Sequence, residues 1–283
     1  MLVSGKEILQ KAHEEGYAVG AFNTSNLEMT QAIIEAAEEM RSPVIIQTSQ
    51  SAISYASSEG IATIVRTLAE NASVPVALHL DHGTDYDVVM KCLRDGWTSV
   101  MFDGSKYEFE QNIEITKTVC GIAHPMGVSV EAELGKIGGV EDHVKVDMKD
   151  ATMTDPDEAV EFVEKTGVDY LAIAIGTAHG VYVGDPELDF DRLETIKKRV
   201  NMPIVLHGAS GIVEDDIKKA VSLGVNKINI DTDLRVAFQK AMHKVVNETP
   251  DVYDPRKMLA PTRESVKAVC KAKMEMFGST NRA

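Results

Sequence analysis

Apolar and polar positions alternate in blocks along this chain. Runs rich in Val, Ile, Leu and Ala occur at AVGAFN (18–23), PVIIQTS (43–49), VPVALHLDH (74–82), TSVMFDG (98–104), VSVEAELG (128–135), DYLAIAIG (169–176), MPIVLHGAS (202–210) and KINIDTD (227–233). Each predicts a short buried strand. Between them lie stretches with apolar residues at helical spacing, among them NLEMTQAIIEAAEEM (26–40), SEGIATIVRTLAEN (58–71), DEAVEFVEKTG (157–167) and VEDDIKKAVSLG (213–224). Several end in Gly or Asn, which stop helices. Pro43, Pro75 and Pro203 stand at strand starts, where a missing N–H is tolerated. Strand and helix alternating in this way predict a parallel α/β fold. Eight such units fit a closed (β/α)8 TIM barrel better than an open doubly wound sheet. No GxGxxG follows the first strand, which weakens a dinucleotide-binding alternative. Two further helical stretches, 234–248 and 258–277, are expected to cap or extend the barrel. With no composition shift or Gly/Ser-rich linker, residues 1–283 read as one domain.

The ends of the apolar runs are unusual. In order they carry Asn23, Ser49, Asp81 with His82, Asp103, Glu131 with Glu133, His179 just past the sixth, His207, and Asn229 with Asp231. In a barrel these ends meet on one face, where active sites of this fold lie. Scattered polar ends would signal only solvation. Such ends on all eight runs point to a site.

Composition narrows what that site handles. The 44 acidic residues outnumber 29 basic ones, for a formal net charge of −15. Such a surface repels nucleic acid and anionic lipid, and no long basic run overrides it. The cysteines Cys92, Cys120 and Cys270 are odd in number and far apart, which argues against a disulfide framework or a cysteine metal site. No signal-peptide pattern opens the chain and no run approaches a membrane span, so a soluble, cytoplasmic protein is expected.

Three of the eight histidines, His82, His179 and His207, follow the third, sixth and seventh runs, each with a glycine after it. Three neutral imidazoles with one position open form a catalytic zinc arrangement. His79 falls on the same face as Asp81, one layer deeper, and reads as a supporting histidine. Asp103 and Glu133 are candidates for a second cation position, with solvation or pairing to Lys106 or Lys136 as the plainer reading. GASG (208–211) and NIDTD (229–233) each lead into a helix after the seventh and eighth strands. That is the recurring phosphate site of this fold, with Ser210 and Thr232 able to add hydroxyl bonds. The polar stretch 135–154 is long for a connection. It reads as an active-site lid hinged at Gly138–Gly139 and delivering Glu141 or Asp142, or else as a solvated loop.

Taken in order, HLDHG, SVEAELG, GGVED, GTAHG, VLHGASG and NIDTDL resemble the class II, zinc-dependent ketose-bisphosphate aldolases, from YAVGAFN near the start to FGSTNRA at the end. Among these the kinship is with fructose-1,6-bisphosphate and tagatose-1,6-bisphosphate aldolases. The resemblance implies zinc on His82, His179 and His207, an alternative metal position at Asp103 and Glu133, and Asp81 handling the proton of the C4 hydroxyl. It implies Glu141 as the loop acid that moves the proton at carbon. Gly180, Gly208, Ala209, Ser210, Asn229, Ile230, Asp231 and Thr232 would line the dihydroxyacetone phosphate end, and Ser49 would lie near the aldehyde end. Arg256 would reach the other phosphate from a neighbouring subunit, which implies a homo-oligomer, a dimer or tetramer.

The implied chemistry agrees with this arrangement: the strand ends hold the metal ligands and a fixed carboxylate, the loop offers a mobile one, and the strand ends carry no lysine for a Schiff base. Val183 stands where many fructose-bisphosphate enzymes have a lysine that helps hold a phosphate. Asp231 is the residue type of some fructose enzymes, and an aspartate that bonds a hydroxyl in one configuration discriminates against the epimer. It favours fructose, whereas the ending GSTNRA leans towards tagatose. Another metal-dependent sugar-phosphate aldolase of the family remains an alternative. A metal-dependent hydrolase is disfavoured by the two phosphate loops, and a non-catalytic sugar-phosphate sensor by Asp81 and Glu141.

Overall fold

The computed structural model describes residues 1–141, 144–147, 151–180 and 186–283, the side chains at 141, 144 and 145 excepted. Asp142 and Val183 therefore lie outside the described residues. Helix α1 (Gly5–Glu15) comes first, its N-terminus capped by Ser4 and its C-terminus closed by Gly16 at φ 71°. There follow β1 (Val19–Asn23), α2 (Leu27–Met40), β2 (Val44–Ser49), α3 (Gln50–Ala56), α4 (Ser58–Asn71), β3 (Val76–Gly83), α5 (Tyr86–Arg94), β4 (Ser99–Phe102), α6 (Phe109–Ala123) and β5 (Ser129–Leu134). Then come β6 (Gly138–Glu141), β7 (Val144–Val146), α7 (Pro156–Thr166), β8 (Tyr170–Ile173), β9 (Ala178–His179), α8 (Phe190–Val200), β10 (Ile204–Leu206), α9 (Glu214–Ser222), β11 (Val225–Ile230), α10 (Thr232–Glu248) and α11 (Pro255–Met276).

Strands β1, β2, β3, β4, β5, β8, β10 and β11 close into a parallel barrel, β11 pairing back onto β1 from Val19↔Lys227 to Phe22↔Ile230. All eight anticipated strands are present, and the fold is the TIM barrel that their spacing predicts. Period-2 alternation sorts the side chains. On β3, Val76, Leu78 and Leu80 join the outer core under the helices, whereas Ala77 faces the barrel axis. Val44 and Ile46 point out on β2, and Ile45 points in.

One end of the barrel is plugged. Ile8, Leu9 and Ala12 of α1 pack on the inward residues Val19, Ala21, Ile45, Ala77, Ala172 and Val205. Each fully buried aliphatic side chain here contributes about 1.5–3 kcal/mol. The backbone of α1 comes close as well, since a Cβ on Gly5 would lie 2.5 Å from the Tyr170 hydroxyl. This helix leaves the opposite end, the carboxyl ends of the strands, as the open mouth. At the C-terminus α10 and α11 extend the barrel as anticipated. Helix α11 is tied to α2 by Arg263 with Glu35, by Lys267 with Glu39 at 3.3 Å and by Lys271 with Glu39 at 2.7 Å. Among the described residues, no helix is long and apolar enough to cross a membrane.

The described residues of the polar stretch after β5 include two strands. Strands β6 and β7 form an antiparallel hairpin, and β6 runs parallel to β9, with Gly139 opposite His179. A Cβ on Gly139 would lie 2.3 Å from the His179 carbonyl oxygen, and φ there is 105°, so the close approach requires glycine.

Candidate active site

Strict alternation along β3 directs His79 and Asp81 inward and would turn His82 out. Instead His82 adopts φ 47°, rare for a side-chain-bearing residue, and the β3–β4 register shifts between Leu80 and Gly83. The bulge turns His82 back into the mouth, where it is buried. His179 arrives on β9 and His207 just past β10. The three rings offer nitrogens that all lie within 4.8 Å of one another.

The hydrogen bonds decide which nitrogens face the centre. His207 Nε2 lies 2.8 Å from Glu131 Oε1, and His82 Nδ1 lies 3.1 Å from Asp103 Oδ2. A carboxylate only accepts, so each of these nitrogens carries the proton. His207 Nδ1 and His82 Nε2 then face each other at 3.0 Å. Two lone pairs at that distance repel unless a proton or a metal cation is shared between them. The surrounding field favours either. Burial disfavours a charge on His82, yet Asp81, Asp103 and Glu133 together hold its pKa well above the ordinary value. Burial, with the charges of His82 and Lys227, holds His207 well below it. Three convergent imidazoles in a negative field fit zinc, whose charge would take the place of the proton on His82.

A second set, His82, Asp103 and Glu133, also gathers its donor atoms within 4.8 Å. Burial alone would raise the Asp103 carboxyl, but the bond and charge of His82, with bonds from Ser105, hold it well below the carboxylate range. Glu133 is pushed the other way by burial and by the Asp103 charge. Because His82 belongs to both sets, the two positions are alternatives rather than independent sites.

Asp81 sits beside His82 among amides. Its Oδ2 accepts from Asn23 Nδ2 at 2.9 Å and Gln47 Nε2 at 3.1 Å, and its Oδ1 accepts from Asn229 Nδ2 at 3.1 Å. One layer deeper, His79 contacts Ser99 Oγ at 2.6 Å through Nδ1 and Glu131 Oε2 at 3.3 Å through Nε2. That is the supporting place expected of it. The sequence did not draw attention to Gln47, or to Lys227, which is wholly buried inside the barrel.

The loops after β10 and β11 converge. Gly180, Ser210, Gly211 and Thr232 line one cavity of about 770 Å³, with Lys240 and Lys273 at its far side. Helix α10 starts at Thr232, so its first N–H groups point to the Thr232 side of this space. Gly208 takes φ 63°, and a Cβ there would lie 2.5 Å from the Ala178 carbonyl oxygen, so only glycine lets the loop close over β9. Ala209, Asn229, Ile230 and Asp231 are buried beside it.

A second cavity, of about 410 Å³, is lined by Ser25, Asn26, Ser51, Tyr55 and Arg235. Ser49 lies nearby at the end of β2, where it also caps α3. Arg235, unremarked in the sequence, donates from Nε to Asp231 Oδ1 at 2.7 Å. Arg256 lines neither cavity; it is exposed and held by Asp254 at 2.9 Å. Glu141 ends β6, two residues past Gly139, and its side chain is outside the described residues.

Residues 3–282 match the family model described as fructose-bisphosphate aldolase class-II. The chain is 53% identical to the fructose-bisphosphate aldolase of Thermus caldophilus, over the full length of both. It is 46% identical to the sulfofructosephosphate aldolase of Alkalicoccus urumqiensis, over 99% of this chain and 98% of that one. The crystal structure of the YdjI aldolase from Escherichia coli K12 superposes over all of both chains with a TM-score of 0.89 at 39% identity.

Proposed function

The chain belongs to the class II fructose-bisphosphate aldolase family, a family of zinc-dependent lyases, and we propose that it reversibly cleaves fructose 1,6-bisphosphate to dihydroxyacetone phosphate and glyceraldehyde 3-phosphate. The observation that carries this reading is the convergence of three buried imidazoles beside Asp81 at the barrel end where the loops around Ser210 and Thr232 also line a cavity. His82, His179 and His207 hold the zinc, and His82 with Asp103 and Glu133 offers the alternative cation position. Bound at the histidines, zinc supplies Lewis-acid stabilisation of the negative charge that develops as the carbon–carbon bond breaks.

The chain's own residues supply the rest. Asp81, with its amide donors fixing its orientation, takes the proton from the C4 hydroxyl oxygen as the C3–C4 bond opens. Glu141, carried on the hairpin that pairs with the His179 strand, returns a proton to carbon. Gly180, Gly208, Ala209, Ser210, Asn229, Ile230, Asp231 and Thr232 hold the dihydroxyacetone phosphate half. The aldehyde half lies by Ser49, where the Arg235 guanidinium and Arg256 of a neighbouring copy in a homo-oligomer meet its phosphate. Asp231, oriented by Arg235, bonds a hydroxyl of the fructose configuration.

A second reading, another ketose phosphate such as tagatose 1,6-bisphosphate or a sulfofructose phosphate, is kept open by the 46% identical relative that acts on a different sugar phosphate. Activity should vanish on chelation and return with zinc. For the substrate, kcat/KM is compared for the three sugars in wild type and Asp231→Ala. Fructose 1,6-bisphosphate should lead by at least tenfold, with the lead over tagatose shrinking in Asp231→Ala. A wild-type preference for either other sugar overturns the assignment.

A further inference from the structure

We propose that Lys227 is a positioning residue: one buried ammonium under the site sets the direction of both the zinc-facing and the proton-carrying hydrogen-bond chains. Its side chain is 0% exposed, and it lies on an inward position of β11, below the strand end. Two acceptors hold it. Nζ lies 2.9 Å from Glu131 Oε2 and donates to Asn229 Oδ1 at 2.8 Å.

Direction follows from what an ammonium is. It has three donors and no acceptor, so whatever it touches must present an oxygen. On one side Asn229 therefore turns its carbonyl to Lys227 and its NH2 to Asp81 Oδ1. With the amide reversed, an oxygen would face the carboxylate. On the other side Lys227 fixes Oε2 of Glu131, which leaves Oε1 for His207 Nε2 at 2.8 Å. Glu131 so held keeps the His207 proton on Nε2 and leaves Nδ1 for the centre. Without Lys227, Glu131 would be a buried carboxylate beside the His79 and His207 imidazoles and the Glu133 carboxyl, without the ammonium that fixes Oε2, and Asn229 would keep only one of the two partners that orient its amide. Lys227 lines neither cavity, so it acts on the site from below, through its bonds to Glu131 and Asn229 and through its charge on His207.

The proposal rests on the reading of His207 as a zinc ligand and of Asp81 as the proton carrier. It is tested on the full-length protein with Lys227→Met, which keeps the stem and removes the charge. Metal-stripped protein is titrated with zinc against a chelating dye, and kcat and KM are measured at saturating zinc. The zinc dissociation constant should rise roughly 10- to 100-fold through the His207 arm. At saturating zinc kcat should still fall, by up to about 100-fold, with KM moved much less, through the Asp81 arm. A merely structural role lowers Tm and moves neither quantity in the folded protein. If Lys227→Met does not fold, Lys227→Met/Glu131→Gln removes both charges together and should fold with zinc affinity and kcat still reduced. Wild-type zinc affinity and kcat in either folded variant overturn the proposal. Failure of both to fold also overturns it, by making Lys227 a folding determinant only. His207→Ala tests the underlying assignment separately: if it binds zinc as tightly as wild type, the ligand reading fails whatever Lys227 does.

Discussion

The floor and the mouth of the barrel are built from the same strands, in places only two residues apart, and they share almost no chemistry. At the floor the inward positions include Val19, Ile45, Ala77 and Val205, sealed by Ile8, Leu9 and Ala12 of α1, with the uncharged hydroxyls of Ser99, Ser129 and Tyr170 bonded to one another beside Gly5. At the mouth the inward positions are Asn23, Gln47, Asp81, Glu133, His207 and Asn229, all buried and many ionisable. Two residues along a strand is about 6.6 Å. Over that distance the interior passes from close-packed hydrocarbon to a lattice of charge-assisted bonds. The contrast shows where each kind of energy is placed. Burial at the floor holds the strands in register, and that rigidity lets the mouth keep several buried charges in fixed mutual positions.

The contrast is sharpest in Asp81→Ala, with the largest effect expected. Removing the proton carrier should cut kcat by about 10²- to 10⁴-fold. One zinc per chain should still bind, because Asp81 is not among the metal donors. Steady-state cleavage together with metal content by elemental analysis checks both. Near-normal cleavage in a folded, zinc-loaded Asp81→Ala would move the acid–base role elsewhere in the mouth.

A floor substitution should do the reverse. Leu9 is completely buried between α1 and the barrel. Leu9→Ala should lower stability by about 2–5 kcal/mol. Per folded molecule, kcat at 25 °C should match wild type. Denaturant unfolding gives the first quantity, and activity normalised to the folded fraction gives the second. A kcat loss in folded Leu9→Ala would show that the floor tunes the chemistry, and the division of labour would fail.

How much of each region could be read from sequence follows the same line. The strands and their polar ends were legible because alternation is a local signal, and so were the loops at Ser210 and Thr232, which follow strands in the right order. His82 illustrates the limit. Counting by twos from His79 turns it outward, and only the φ of 47° reverses that. The residues needed from elsewhere were harder. Lys227 sits one step below the strand end, and attention to ends alone passes over it. An ionisable residue in the inward phase of an apolar strand was the available signal. Arg235 was hidden because its relation to Asp231 is one helical turn, while the strand reading stops at Asp233. The stretch 135–154 looked like irregular chain, since a short hairpin docked on another strand by glycine has no hydrophobic period of its own. Helix α1 attracted no comment, because its role as a plug depends on the closed barrel it fills.

The smallest expected effect lies at the floor, in a polar cluster that carries a buried ammonium. Lys197 on α8 donates to the Met202 carbonyl at 2.8 Å and to Asn226 Oδ1 at 2.7 Å, and faces His13 Nδ1 of α1 at 2.7 Å. Burial lowers its pKa from 10.5 to about 8. The same burial, with the Lys197 charge, lowers the pKa of His13. Between pH 8 and 10.5 the unfolded chain therefore holds a proton on this lysine that the folded chain has released. The unfolded state binds more protons, so stability from this group rises with pH across that window and is lost as pH falls through 8. Unlike the mouth, the cluster has no carboxylate among its described contacts to offset the buried charge. The difference in unfolding free energy between wild type and Lys197→Met, followed from pH 7 to 10.5, should shift in favour of wild type as pH rises, by an amount small beside the loss in Leu9→Ala. Measuring the difference removes the titration of every group that the two proteins share. A flat difference would mean that Lys197 keeps an ordinary pKa, and that the floor tolerates a charge as readily as the mouth does.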